Sequence, residues 1–191
     1  MNELRNLIGC CIKGDRQAQG ELYGIYSQKM FIVCMRYSPN REEAEDTLQE
    51  GFIKVFTNLR QYQFNGAFEG WVRKIMVNCA LQKYRIKSNL RTVVIEDDSI
   101  IEYYNEDILS RLGTKDLLTM IQNLPPAYRL IFNMYVFEGK KHREIAEELG
   151  ISEGTSKSNL HDARNILQRK ITKSMAVAVS HSQSSVQGQI L

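Results

Sequence analysis

The stretch HREIAEELGISEGTSKSNLHDARNILQR, His142 to Arg169, divides into two helices across a tight turn. Ile145, Ala146 and Leu149 share one face of the first helix, and Gly150 tolerates the left-handed backbone that a short turn needs. Ser152 reads as the N-cap of the second helix, on which Leu160, Ala163, Leu167 and Ile171 face inward. Small Ala146 lets the two helices approach closely. This is helix-turn-helix spacing. Lys157, Ser158, His161, Arg164 and Asn165 then face outward, a polar surface able to enter a major groove. Lys157 reaches phosphates or a guanine edge, and Thr155 and Ser158 are short donors suited to phosphate oxygens. Two positions break the pattern: the inward stripe lands on Ser156 where an apolar residue is expected, and Asp162 puts negative charge near the polar face.

Upstream of this motif, helices are expected at Lys115–Asn123 and Ala127–Phe137, with Pro126 suited to a first helical turn. The front of the chain is also helical. Leu22, Tyr26, Met30, Val33 and Tyr37 recur at three- and four-residue steps, as do Leu48, Phe52, Val55, Phe56 and Leu59, then Phe68, Trp71, Val72, Ile75 and Cys79. Each set is the apolar stripe of an amphipathic helix. Ser38-Pro39-Asn40 and the Gln63–Ala67 stretch break the run, and a shorter opening helix, Leu4–Ile12, ends near Gly14. The expected fold class is all-α: a helical bundle over 1–90 and a helix-turn-helix domain over 114–173, joined by a linker over 91–113, with a disordered Ser/Gln-rich tail over 174–191.

Charge follows these blocks. Residues 1–90 carry a net +4, residues 91–113 a net −4 and residues 114–173 a net +3. The acidic spacer, which includes Glu96-Asp97-Asp98, lacks a long apolar face and is expected to be flexible; fully extended it spans at most about 75–80 Å. Two mildly basic blocks suit polyanion partners. With 191 residues and 43% hydrophobic side chains, the chain has the composition of a globular protein. No stretch approaches the ~18 apolar residues of a membrane span, and the opening residues lack a secretory pattern, so a cytoplasmic protein is expected. Cys10, Cys11, Cys34 and Cys79 match no zinc or CxxC spacing and are expected to be small buried hydrophobes, with no metal and no cofactor.

Two further clusters carry polar chemistry. Asp46, Gln49 and Glu50 share a face of the second long helix, whose core stripe includes Leu48 and Phe52. Such a face captures a basic partner surface; no histidine, metal ligand or nucleophile accompanies the carboxylates, which disfavours acid–base catalysis. Lys74, Asn78, Gln82 and Arg85, at steps of four, four and three, put cations and amides on one face of the third long helix. Ahead of it, Phe64 and Asn65 stand open between core packing and contact with unstacked bases, whereas Trp71 reads as core.

These residues resemble an RNA polymerase sigma factor of the small, two-domain extracytoplasmic-function type. AEDTLQEGFIKVF, Ala44 to Phe56, is similar to the family's core-polymerase-docking helix, which assigns Asp46, Gln49, Glu50 and Phe52 to that contact. FEGWVRKIMVNCALQKYR, Phe68 to Arg85, resembles the segment that reads and melts the −10 element. The resemblance implies that Phe64, Asn65, Lys74, Asn78, Gln82 and Arg85 contact −10 DNA, with the Gln63–Ala67 loop holding an unstacked base. Leu124 to Arg164 looks like the −35 domain, which implies −35 contacts for Arg143, Thr155, Lys157, Ser158, His161 and Arg164. The family's further −35 cations are absent at Asn159 and Asp162, so their phosphate contacts are not carried over. The implied partners are core RNA polymerase, promoter DNA and an anti-sigma factor; the polymerase supplies all catalysis. A stand-alone helix-turn-helix regulator is the competing class, and it has no need of the Asp46/Gln49/Glu50 face. An enzyme is disfavoured for want of a nucleophile–base pair.

Overall fold

The computed structural model describes the backbone of residues 2–91 and 114–187, with side chains over 3–86 and 116–172. Every regular element among the described residues is helical, and the chain divides into two compact units. The linker expected at 91–113 lies outside the described residues apart from Arg91, the last residue of a helix.

The first unit contains α1 (Asn2–Ile12), α2 (Arg16–Tyr37), α3 (Arg41–Asn58), a single 3-10 turn (Leu59–Gln61) and α4 (Phe68–Arg91). Local chemistry sets the breaks. The Asp15 carboxylate caps α2 by accepting from the Gln17 and Ala18 amides at 2.9 and 3.2 Å, and Asn40 caps α3 by accepting from the Glu43 amide at 2.8 Å. Helices α2, α3 and α4 pack on one another, while α1 lies against α2 and the 3-10 turn. Leu22, Met30 and Val33 from α2 meet Ala44, Leu48 and Val55 from α3 and Val72, Met76 and Cys79 from α4 in the core. The stripe on α4 differs in one place from expectation: Ile75 is only half-buried and Met76 is fully buried. Two packing partners instead of one rotate and widen the face that α4 must bury.

Where α3 crosses α4, a Cβ on Gly51 would lie 2.1 Å from the sulfur of buried Met76. Glycine is therefore what permits this close approach, with Met76 filling the space a side chain would occupy.

The second unit contains α5 (Thr114–Gln122), α6 (Pro126–Val136), α7 (His142–Leu149) and α8 (Glu153–Gln187). Helix α8 packs on the other three. Ile121, Leu124, Leu130, Ile131, Met134, Ile145, Leu160, Ala163 and Leu167 form its interior. Buried Arg129 on α6 donates to the Gln122 carbonyl, fastening the end of α5.

Two expectations fail on α8. Ile171 is 37% exposed, because the stripe outruns the helices that cover it. The backbone also stays helical through Gln187, where a disordered tail was expected from residue 174. Met175-Ala176-Val177-Ala178-Val179 contains no Pro or Gly, and Gly188 is the first breaker. Extending a formed helix needs no new nucleus.

Candidate functional site

Three polar faces stand on this scaffold, two on the first unit and one on the second. On α3, Asp46 and Gln49 are exposed as expected. Glu50 is not free: Lys54 Nζ donates to its carboxylate at 2.8 Å, and Lys83 Nζ from α4 stands 3.7 Å away. The bond from Lys54 holds the Glu50 carboxyl below its usual range. Lys54 also donates to Gln82 Oε1 at 3.0 Å, so α3 and α4 are braced through one ammonium. Phe52 corrects its assignment to a contact surface. It is 3% exposed, with its ring centre 4.6 Å from that of Tyr23 on α2, so it belongs to the packing that anchors the helix.

Ile53, which the apolar periodicity did not single out, is 67% exposed four residues after Gln49. Its signal in the sequence was an isoleucine lying off the core stripe, in register with Asp46 and Gln49. Beside this face runs a groove of about 350 Å³ between α2 and α3, bordered by Tyr23, Phe31, Arg41, Leu48 and Gln49.

On α4, Lys74, Asn78, Gln82 and Arg85 are all exposed along one face. The preceding loop is built around aromatics. Tyr62 donates from its hydroxyl to the Gly66 carbonyl at 2.7 Å, closing the loop. Phe68 stacks on Trp71, with centroids 5.6 Å apart. Phe68 is core; Trp71, expected there too, is only half-buried and lies at the base of the loop. Phe64 is 40% exposed and adopts φ +58°, and Asn65 is exposed beside it. Both lie at the surface, the Phe64 ring 4.9 Å from that of buried Tyr62.

In the second unit the helix-turn-helix geometry follows its sequence. Gly150 takes φ +68°. Ser152 Oγ accepts from the Thr155 amide at 2.9 Å, capping α8. Ser156 is fully buried, and its hydroxyl is 3.0 Å from His142 Nδ1 on α7. The polar interruption in the stripe is thus a pin between the two helices. Asp162 also has a partner inward: it is half-buried and accepts from the Tyr128 hydroxyl on α6 at 3.5 Å, so its charge is drawn off the polar face.

Arg143, Thr155, Lys157, Ser158, His161 and Arg164 are exposed together, whereas Asn165 is half-buried. Their cations already have local partners. Lys157 pairs with Glu153 at 2.7 Å and holds that carboxyl below its usual range. Arg143 stands 3.4 Å from Glu147, and the Arg164 guanidinium lies 5.5 Å from the centre of the Tyr135 ring. The His142 ring stacks on the same tyrosine at 4.8 Å.

Among the described residues no cluster of three or more His, Cys, Asp or Glu is placed to hold a metal. No described helix is long and apolar enough to cross a membrane. Cys11, Cys34 and Cys79 are buried as expected, but Cys10 is exposed, since it falls on the outer side of α1.

Comparison with known proteins agrees with this division. Residues 22–89 match Sigma-70 region 2, and residues 114–167 match Sigma-70, region 4. The ECF RNA polymerase sigma factor SigE of Mycolicibacterium smegmatis is 33% identical over 172 residues, covering 84% of this chain and 65% of that protein. The ECF RNA polymerase sigma factor SigW of Bacillus subtilis is 28% identical over 171 residues, covering 83% of this chain and 91% of that protein. A solved structure, the sigma factor RpoE in complex with the anti-sigma factor NepR from Bartonella quintana, matches with a TM-score of 0.52 at 17% identity, covering 80% of this chain and 96% of that one; it bears on the fold alone. The chain belongs to the sigma-70 family, as a sigma factor of extracytoplasmic-function type that directs promoter-specific transcription initiation through RNA polymerase.

Proposed function

We propose that the three faces divide the work of initiation. Asp46 and Gln49, with Ile53 beside them, dock on core RNA polymerase, and Glu50 sets the spacing of α3 and α4 beneath them. Phe64, Asn65, Lys74, Asn78, Gln82 and Arg85 hold the −10 strand. Arg143, Thr155, Lys157, Ser158, His161 and Arg164 meet the −35 duplex. What carries this reading is the exposure of these polar side chains on faces backed by rigid helix packing, with Phe52 and Ser156 withdrawn into the interior. Rigid backing matters because base contacts need fixed geometry, whereas phosphate contacts set register and affinity.

The chain itself performs no covalent chemistry. The Cys34 thiol, pushed up to about 12 by burial, stays protonated and inert. Nucleotidyl transfer belongs to the polymerase, in the cytoplasm and at the nucleoid when the holoenzyme forms. The sigma factor in the matching solved complex is held by an anti-sigma factor. A partner of that kind covering the docking face fits this chain as well.

Titration of labelled core enzyme tests the reading. Asp46→Ala and Gln49→Ala together weaken association roughly tenfold, the size of a modest hot spot, with helical content unchanged by circular dichroism. Undiminished association would remove α3 from the docking role. Run-off transcription on genomic fragments then recovers the promoter.

A further inference from the structure

We infer that Arg5 and Phe64 are the two jaws of a stacking site for one unpaired base of the −10 strand, so that α1 helps hold the opened DNA. The inference rests on reading the Gln63–Ala67 loop as the base-binding loop, and adds to it a residue far away in sequence.

Phe64 is the starting point. A phenylalanine at φ +58° is a strained choice that persists only where its surroundings over-determine it. Here the bond from Tyr62 to the Gly66 carbonyl closes the loop, and Gly66 itself takes φ +92°. The residue sits at the surface. A large aromatic aggregate, Tyr62, Phe68 and Trp71, lies next to it, yet Phe64 meets only Tyr62, at 4.9 Å and 54°, and stays 40% exposed.

The ring is covered by a cation. The Arg5 guanidinium lies over it, 4.6 Å from the centroid. Arg5 is exposed on α1, and α1 packs on the 3-10 turn that leads into the loop, so the jaw is carried on a fixed element.

A guanidinium is planar, cationic and weakly hydrated, and it stacks on nucleobases as readily as on aromatic rings. Once the Arg5 side chain swings away from the ring, an unpaired base enters between the two and stacks on both, while the charge attracts its phosphate. In the absence of DNA the guanidinium occupies the place of the base and shields the ring from water.

The test uses holoenzyme reconstituted on core polymerase. The probe is the labelled non-template strand of a promoter recovered by run-off transcription, with an abasic site introduced at one −10 position at a time. Phe64→Ala weakens binding roughly tenfold, in the range of one lost base–aromatic stack. Arg5→Ala weakens it about fivefold, and at one position the abasic penalty seen with wild type largely disappears. That position is the same one at which Phe64→Ala cancels the penalty. Arg5→Lys keeps the charge and the salt dependence but recovers only part of the affinity. The melting temperature of Arg5→Ala is unchanged, since the side chain is exposed.

If Phe64→Ala leaves binding and the abasic profile untouched, the loop is not the base site and this inference falls with that reading. If Phe64→Ala weakens binding while Arg5→Ala matches wild type with its full abasic penalty, the loop stands and Arg5 is no jaw. Tighter binding by Arg5→Ala also overturns the inference, because the guanidinium would then merely obstruct the ring.

Discussion

The α3–α4 face of the first unit and the α7–α8 face of the second hold their charges differently. In the first, Lys54 reaches across from α3 to Gln82 on α4 while holding Glu50, and Lys83 approaches the same carboxylate from α4. In the second, Lys157 pairs with Glu153 and Arg143 with Glu147, each within one turn of its own helix. A bridge between helices fixes the relative position of two working faces. A pair on a single helix fixes nothing beyond itself and yields readily to phosphate. Changes under the faces of the first unit should therefore register as loss of structure. Changes on the recognition face should register in DNA binding and leave the fold alone.

The largest effect is expected where α3 and α4 touch. Gly51→Val forces methyl groups into the space held by the thioether end of fully buried Met76, which must swing aside or push the two helices apart. A cost of about 2–3 kcal/mol is expected from overpacking, measured as a lower urea midpoint for the first unit. An unshifted midpoint would mean that the two helices part freely, and the contrast with the second unit would weaken.

That glycine also marks the limit of what the sequence discloses. Apolar periodicity located every long helix, because burial on one face leaves a repeat of three and four. Caps and breakers such as Ser152, Gly150 and Pro126 located several helix ends, though not the far end of α8. The repeat reports only which side of a helix is buried and nothing about what lies opposite. Gly51 therefore gave no sign of Met76, and Ser156 read as a flaw when it is matched to His142 fourteen residues earlier. Asp162 was read as a charge facing DNA because Tyr128, its partner, lies on another helix. Phe52 fell into both the stripe and the contact pattern, and its burial places it in the stripe.

The pin between α7 and α8 should rank next. Ser156→Ala removes the hydroxyl and leaves half-buried His142 to find water, at a cost of about 1 kcal/mol. Thermal unfolding of the second unit would show the loss; Ser156→Val, which restores the apolar character the stripe lacks, tests whether packing can replace the bond. If neither variant shifts the transition, the helix-turn-helix is held by its apolar contacts alone.

The brace in the first unit is weaker because it is partly exposed, with Glu50 and Lys54 side chains each 38% accessible. Its pH dependence has a definite sign. Glu50 has a lowered carboxyl pKa in the folded protein, chiefly through the bond from Lys54. Its contribution is therefore complete above the unfolded carboxylate value and is lost as pH falls through the folded one. After allowance for solvent screening it amounts to about 0.3–0.5 kcal/mol. Lys54→Met should flatten this part of the acid-side stability profile without moving the neutral-pH midpoint by more than that. An unchanged acid slope would assign the shift to Lys83 instead.

The smallest change in stability, and the clearest in binding, is expected at Lys157. Its pair with Glu153 sits on an exposed turn, so Lys157→Ala should leave the unfolding transition of the second unit in place. Binding to the −35 duplex should weaken by a similar factor across sequences, and the slope of log affinity against log salt should fall by about one. Those two results together describe a phosphate contact. A sequence-dependent loss with a steady slope would describe a lysine reading a guanine edge. Glu153→Gln separates the cases further: with its partner neutralised, Lys157 no longer exchanges one anion for another, and holoenzyme affinity should rise with the slope unchanged or steeper. A fall in affinity would mean that Glu153 positions the ammonium for DNA, giving the local pair the same orienting role that Lys54 has between α3 and α4.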